Sequence, residues 1–351
     1  MSDAAATRTV TLDEIPEVCG WNRKVMPTGW FQIAWSGEIK PGDVRPLRYF
    51  KKDLVLYRTE NGQAIVQSAF CPHMGAHLGH GGHVEGDRIV CPYHGWEWGC
   101  DGRNKLVPSD GEPSRSNRVL KNYVTAESNG IIWMWHDVLD REPLWPHLAE
   151  HRDTGSYLPV WPHCTRAGFR RRVQPQWVAE NIVDIDHLLY VHKSKFVPVL
   201  HADRSPIQYV VEGPIWRNIR EHPLQSSYTE GVGVQVITVP VDPSFPQRLP
   251  SILIAGVTPI DDEYSDFFHT TLTPQDTEAE GGDGDVPVGR ALRRIDTMFD
   301  QGTRDMPIWE NMNYINRPAY AASEAVFRRF RSFCDQFYPE IDEPAAMAIA
   351  S

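Results

Sequence analysis

The 351-residue sequence predicts an α+β chain in two parts: a small antiparallel β domain, then a second antiparallel sheet accompanied by helices. Three observations carry this. Short apolar segments broken by turn residues fill the stretch from Trp30 to about residue 137. Longer alternating segments follow between residues 207 and 274. Helical spacing appears only late, from about residue 288.

Residues 1–27 form a polar lead-in in which TLDEIPE can make a helical turn. From Trp30, WFQIAW, RPLRYF, LVLYRT and AIVQSA are separated by KPGD, KKD and ENGQ, which are turn chemistry. IVCPYHGWEW and RVLKNYVTAESNGIIWMWHD continue the pattern, so residues 28–140 are read as one β domain. Prolines and charges in DREPLWPHLAEHRD mark a linker, and residues 140–160 give no sign of folding one part onto the other. The second domain is 141–351. Its strands are IQYVVEGPIWRNIREH, GVGVQVITVPV, SILIAGVTPI and YSDFFHTTLTP. TPQDTEAEGGDGDVP is expected to be a mobile loop, and the segments 288–315 and 319–338 have helical spacing. There is no internal repeat.

Composition narrows the function. Hydrophobic content of 41% is that of a globular chain, with no apolar run near the roughly 18 residues of a membrane span. The first residues lack the apolar core of a secretion signal. A net charge of −11 argues against nucleic acid as a partner. The six cysteines are scattered, so reduced thiols and a cytoplasmic location are expected. Cys100 is read as a small buried residue.

The stretch CPHMGAHLGHGGHVEGDRIVCPYHGWEWGC, residues 71–100, carries the first constellation. Cys71-x-His73 and Cys91-x-x-His94 are each trailed by glycine, at Gly75 and Gly95, and form two loops able to close on one metal centre. Zinc is one option. Zinc sites, however, usually pair Cys with Cys and His with His within each short motif. The mixed pattern is that of a Rieske 2Fe–2S cluster, with two thiolates on one iron and two neutral imidazoles on the other. His77, His80 and His83 are read as solvated surface, and Trp96 and Trp98 as packing beside the second loop.

The second constellation is Glu180-Asn181-x-x-Asp184-x-x-His187-x4-His192. Two imidazoles and a carboxylate can hold ferrous iron and leave positions open for dioxygen. The H-E-x-x-H spacing of zinc hydrolases is absent. On a regular helix His187 and His192 point about 140° apart, at roughly 100° per residue, so the helix must break between them. Asp184 shares a face with His187 and is placed to orient it rather than to bind metal. The carboxylate should come from the late helix. There Gln301, Asp305 and Trp309 fall on one face, and Asp305 has apolar neighbours, with Asp296, Asp300 and Glu310 as rivals.

With these motifs in place, the chain resembles the oxygenase component of the Rieske non-heme iron oxygenases over nearly its whole length. CPHMGAHLGHGG and Asp305-Met306-Pro307-Ile308-Trp309-Glu310-Asn311 are most similar to the 3-ketosteroid 9α-hydroxylase branch. Residues 200–285, which line the pocket in that family, match little of it. The resemblance implies a helix-grip catalytic domain, a homotrimer and Asp184 as an electron-transfer bridge from His94 of one chain to His187 of the next. It implies His187, His192 and Asp305 as iron ligands, with Asn181 and Trp309 near a hydrophobic substrate. It also implies O2 as co-substrate and NAD(P)H acting only through a flavin and iron–sulfur reductase, with or without a ferredoxin. The expected function is hydroxylation of a hydrophobic, steroid-like substrate, with demethylation or ring hydroxylation of an aromatic as the alternative. A Rieske electron carrier would need only the first domain. A binding module with a dead site would lack a ligand, and none is missing.

Overall fold

The computed structural model describes residue 23 and residues 25–151, 156–193, 207–220, 225–243, 246–316, 318–321 and 324–340, without the side chains of 167–169, 220 and 225. Nearly all of the lead-in therefore lies outside the described residues.

The first part is built of short antiparallel strands: β1 (Gly29–Trp35), β2 (Val44–Tyr49), β3 (Lys52–Arg58), β4 (Ala64–Ser68), β5 (His83–Glu85), β6 (Arg88–Val90), β7 (Glu97–Trp98), β8 (Asn104–Leu106), β9 (Asn122–Tyr123), β10 (Thr125–Ser128) and β11 (Ile131–His136). They form a β1-β11-β10 sheet, a β2-β3-β4-β9 sheet and a small β5-β6-β7-β8 sheet. The hairpin between β10 and β11 turns at Asn129-Gly130, both with positive φ (55° and 70°), the geometry that suits this dipeptide to the right-handed twist of paired strands.

The second part contains β12 (Thr165–Arg171), α1 (Pro175–Glu180), α2 (His187–Tyr190), β13 (Gln208–Glu212), β14 (Ile215–Arg220), β15 (Gln225–Glu230), β16 (Val234–Val239), β17 (Ser251–Pro259), β18 (Ser265–Leu272), α3 (Gly289–Arg304), α4 (Met306–Asn311) and α5 (Ala325–Asp335). One seven-stranded antiparallel sheet runs β12-β18-β17-β16-β15-β14-β13. The α+β expectation holds. The acidic segment after β18 is anchored rather than loose: Arg290 forks onto Asp276, and Gln275 donates to the carbonyls of Gly284 and Val286.

The two parts share a core, which the 140–160 segment did not announce. Phe31, Trp35, Ile132 and Trp133 pack in one cluster with Val236, Ile254 and Phe268. Each such fully buried side chain contributes roughly 1.5–3 kcal/mol. Trp35 donates its indole N–H to Thr270 Oγ1 at 2.8 Å. The β2–β3 turn uses Phe50 and Lys51, non-glycine residues at φ 54° and 61°. Their amides bond the carbonyls of Pro259 and Ile260 at 2.8 Å, so the second part holds that strained turn in place. His136 stacks on Phe50 at 3.9 Å and hydrogen-bonds the Pro27 carbonyl at 2.8 Å. No helix among the described residues is long and apolar enough to cross a membrane.

Candidate metal centres

Two loops of matching backbone carry the first constellation. In one, the Cys71 amide bonds the Ala76 carbonyl and the Gly75 amide bonds the Cys71 carbonyl; in the other, Cys91 pairs with Trp96 and Gly95 with Cys91 in the same way. Gly75 and Gly95 sit at φ +76° and +70°, which is why glycine follows each cysteine by four residues. Cys71 and Cys91 are buried. Burial pushes the Cys71 thiol up to about 11, and Cys91 beside it pushes the same way. Two adjacent buried thiols are a donor set that suits a cationic cluster. His73 and His94 lie with ring centroids 4.7 Å apart, and His73 Nδ1 is buried with no hydrogen-bond partner among the described residues. No three of these four side chains bring donor atoms within 4.8 Å of one another. A single tetrahedral zinc would need all four within about 4 Å, from bond lengths near 2.0–2.3 Å. The wider spacing suits two irons.

The surroundings differ in detail from expectation. Trp96 stacks on His73 of the first loop, at 4.2 Å and 4°, while Trp98 is buried beneath. His80 and His83 are exposed, but His77 is half-buried against Phe70. Cys100 is only partly buried, its thiol donating to the Asp87 carbonyl. His94 is exposed with its ring 3.8 Å from that of Tyr93, and Met74 of the first loop is exposed as well.

The second constellation assembles from three breaks in helical structure. α1 ends at Glu180, and the chain turns through Asp184, whose Oδ1 accepts the His187 amide at 3.2 Å. α2 then lasts only from His187 to Tyr190, and Lys193 takes φ +54°. The helix thus stops before His192, as the angular argument required. Asp305 is the hinge between α3 and α4, with Pro307 ending the first helix's register. Gln301 and Trp309 are therefore not on one continuous helix.

Among the described residues, His187, His192 and Asp305 are the one group of three whose donor atoms lie within 4.8 Å of one another. Asp305 Oδ2 is 3.3 Å from His192 Nε2, and its Oδ1 is 4.0 Å from His187 Nε2. The Nδ1 atoms of both histidines are buried without hydrogen-bond partners. Asp184 Oδ1 approaches His187 Nδ1 at 3.6 Å, an ion-pair rather than a hydrogen-bond distance. Burial opposes charge on Asp184, yet His187 outweighs it and holds the carboxyl below its usual range. Burial likewise opposes charge on His187, and Asp184 with Asp305 holds it up. The rival carboxylates are engaged elsewhere: Asp296 with Arg166, Asp300 with Arg304, Glu310 with Arg171. Two imidazoles and a carboxylate converging in this way fit a ferrous ion with free coordination positions.

Asn181 caps α1, half-buried, with no hydrogen bond from its side chain among the described residues. Trp309 is buried beside Phe267, Met306 and Trp177. Sequence reasoning missed Glu180 as a strut. Its carboxylate accepts from Tyr314 and Gln176 and pairs with Arg331 of α5 at 2.7 Å. The acid was visible in the motif, but its partner lies 151 positions away.

Two family models together match most of the chain. The Rieske 2Fe-2S domain family matches residues 29–124, and the 3-ketosteroid 9alpha-hydroxylase C-terminal domain family matches residues 134–338. Cholesterol 7-desaturase nvd of Bombyx mori is 29% identical over 340 residues, covering 90% of this chain and 70% of that protein. The oxygenase component of 3-ketosteroid-9-alpha-monooxygenase of Rhodococcus rhodochrous is 24% identical over 335 residues, covering 92% and 87%. Among solved structures, NdmA of Pseudomonas putida CBB5 superposes with a TM-score of 0.68 at 17% identity, covering 87% of this chain and 88% of that one. That last likeness is of fold.

Proposed function

The chain belongs to the Rieske oxygenases with a 3-ketosteroid 9α-hydroxylase C-terminal domain and is a terminal oxygenase of that kind; from that premise we propose that it hydroxylates a hydrophobic, steroid-like substrate at a mononuclear iron, using O2. The observation that carries this is the convergence of His187, His192 and Asp305. The steroid class is supported by the names of the relatives with which it shares most of its length.

Cys71, His73, Cys91 and His94 would hold the 2Fe–2S cluster, and His187, His192 and Asp305 the iron. When bound, the first stores single electrons and the second activates dioxygen. The chain's own residues do the rest. The exposed His94 offers an outlet for electrons at the protein surface. Asp184 fixes His187 through its carboxylate and leaves its other oxygen, on a third-exposed side chain (34%), for a neighbour's imidazole. Met306 and Trp309, which follow Asp305 in the chain, belong to a buried apolar cluster with Trp177 and Phe267 and would give that side of the site an apolar support. Electrons come from a separate reductase, as the words "oxygenase component" imply for the Rhodococcus relative, drawing on NAD(P)H with or without a ferredoxin. Among the described residues, hydrogen bonds, ion pairs and ring contacts join neither His73 nor His94 to Asp184, His187, His192 or Asp305. A homotrimer in which each cluster faces the next subunit's iron would bring His94 beside the open carboxylate oxygen of Asp184. A cytoplasmic setting suits the reduced thiols of Cys100, Cys164 and Cys334, the described cysteines outside the cluster set.

The test is product analysis of the holoenzyme with a purified reductase, against a panel of steroids and of N-methyl and methoxy aromatics. Oxygenated or desaturated steroid supports the reading. Turnover of aromatics alone, with release of formaldehyde, would replace it with a demethylase.

A further inference from the structure

The helical face of the large sheet holds polar atoms that the oxygenase chemistry does not use. On β17 and β18, Ala255 and Phe267 face α4 and pack with Met306 and Trp309. The strand register extends this face. Gln235 pairs with Ala255, and Ala255 pairs with His269. Directly paired residues project to the same side of a sheet, so Gln235 and His269 flank the Ala255 methyl in one row. Their backbones are two strand spacings apart, about 10 Å.

His269 is 1% exposed. Its ring meets Phe299 of α3 edge-on at 5.5 Å, and a Cβ at Gly302 would come within 3.4 Å of it. Gly302 is one helical turn before Asp305, about 4.5 Å along the axis. Both ring nitrogens of His269 and Nε2 of Gln235 are buried without hydrogen-bond partners among the described residues. The Met298 carbonyl comes near the ring without meeting hydrogen-bond geometry. Burial pushes His269 down to about 4, which leaves a neutral ring with one donor and one acceptor nitrogen. Buried polar atoms are almost always paired, and an apolar wall with a few unpaired polar groups is how a protein prepares a ligand site. Gln235 is part-buried, so the row opens at that end.

We propose that His269 and Gln235, on either side of Ala255, hydrogen-bond an oxygen function of the substrate and so set how the substrate lies beneath α3. This rests on the reading of the chain as an oxygenase of hydrophobic substrates. It assigns the specificity contact to the region 200–285 that sequence resemblance left unmatched.

The experiment measures binding by calorimetry to the holoenzyme, wild type and His269→Phe. One probe pair is a 3-ketosteroid and its 3-deoxy hydrocarbon; the other is a methoxy aromatic and the matching alkyl aromatic. Wild type should prefer the oxygenated member of the pair it binds by tenfold or more. His269→Phe should bring that preference to within twofold, leave binding of the hydrocarbon member within twofold, and keep both the melting temperature and the iron content. Gln235→Leu should reduce the preference in the same direction. If only the aromatic pair binds, the steroid reading fails and the His269 assignment is judged on that pair. The assignment is overturned if His269→Phe keeps the preference, if the variant melts lower and loses mononuclear iron, which would make His269 a strut under α3, or if neither pair binds.

Discussion

Asp305 Oδ2 lies 3.3 Å from His192 Nε2, joining the hinge between two helices to the turn that ends a third. Neither position is inside a regular helix, and the metal proposal depends on that irregularity. A straight helix over 187–192 would aim the two imidazoles apart.

The cluster assignment predicts a change of potential. His73→Cys or His94→Cys replaces a neutral imidazole by a thiolate and makes the cluster more negative. Its reduction potential should fall by on the order of a few hundred millivolts, with a changed visible spectrum. Protein-film voltammetry on both variants reads this directly. Unchanged potential and spectrum in both would remove these histidines from the ligand set.

The Glu180–Arg331 pair predicts a stability effect separate from the metals. Glu180→Ala leaves a mostly buried guanidinium without its carboxylate, and breaking such a pair costs about 3–5 kcal/mol. Glu180→Gln keeps the bonds to Tyr314 and Gln176 and should lose less. Urea unfolding of the three proteins ranks them. Equal stability of wild type and Glu180→Ala would show that the strut between α1 and α5 carries no load.

His136 predicts an acid limb. Its folded pKa is pushed down to about 3, chiefly by burial, against an ordinary value near 6.5. The stabilisation is therefore complete above pH 6.5 and is lost as pH falls through that value, because the unfolded chain takes up a proton that the folded chain refuses. Between pH 7.5 and 5 the loss is about 2 kcal/mol. His136→Phe forfeits the bond to Pro27 at every pH, but its stability difference between pH 7.5 and 5 should shrink by that amount. An unchanged pH dependence would mean that another group sets the limb.

The inter-subunit route predicts complementation. Asp305→Ala subunits retain the cluster and His94→Ala subunits retain the iron site. Mixed rings should regain activity, because an intact cluster then faces an intact iron across some interfaces. A fully active monomer by sedimentation would contradict the route, as would demonstrably mixed rings with no recovery.

How much was legible in the sequence follows from how far apart the partners lie. Cys71 to His94 sit in two local loops whose glycine turns are visible residue by residue. The break between His187 and His192 could be deduced from angles alone. Asp305 could be narrowed but not isolated, since what sets it apart from Asp296, Asp300 and Glu310 is their pairing with Arg166, Arg304 and Arg171, arginines whose positions the fold decides. Glu180–Arg331 and the row Gln235–Ala255–His269 needed helix packing and strand register, which no local pattern encodes. The shared core was missed for the same reason. β1 pairs with β11 and packs on β16 and β17, so the proline-rich segment at 140–153 interrupts the sequence pattern but not the hydrophobic core.

The most direct measurement is iron content beside the cluster spectrum, for wild type and Asp305→Ala. With His187, His192 and Asp305 as the mononuclear site, wild type should hold about three irons per chain, two of them in the cluster. Asp305→Ala should hold two, with the Rieske spectrum intact and turnover lost. Three irons and full turnover in Asp305→Ala would contradict the account.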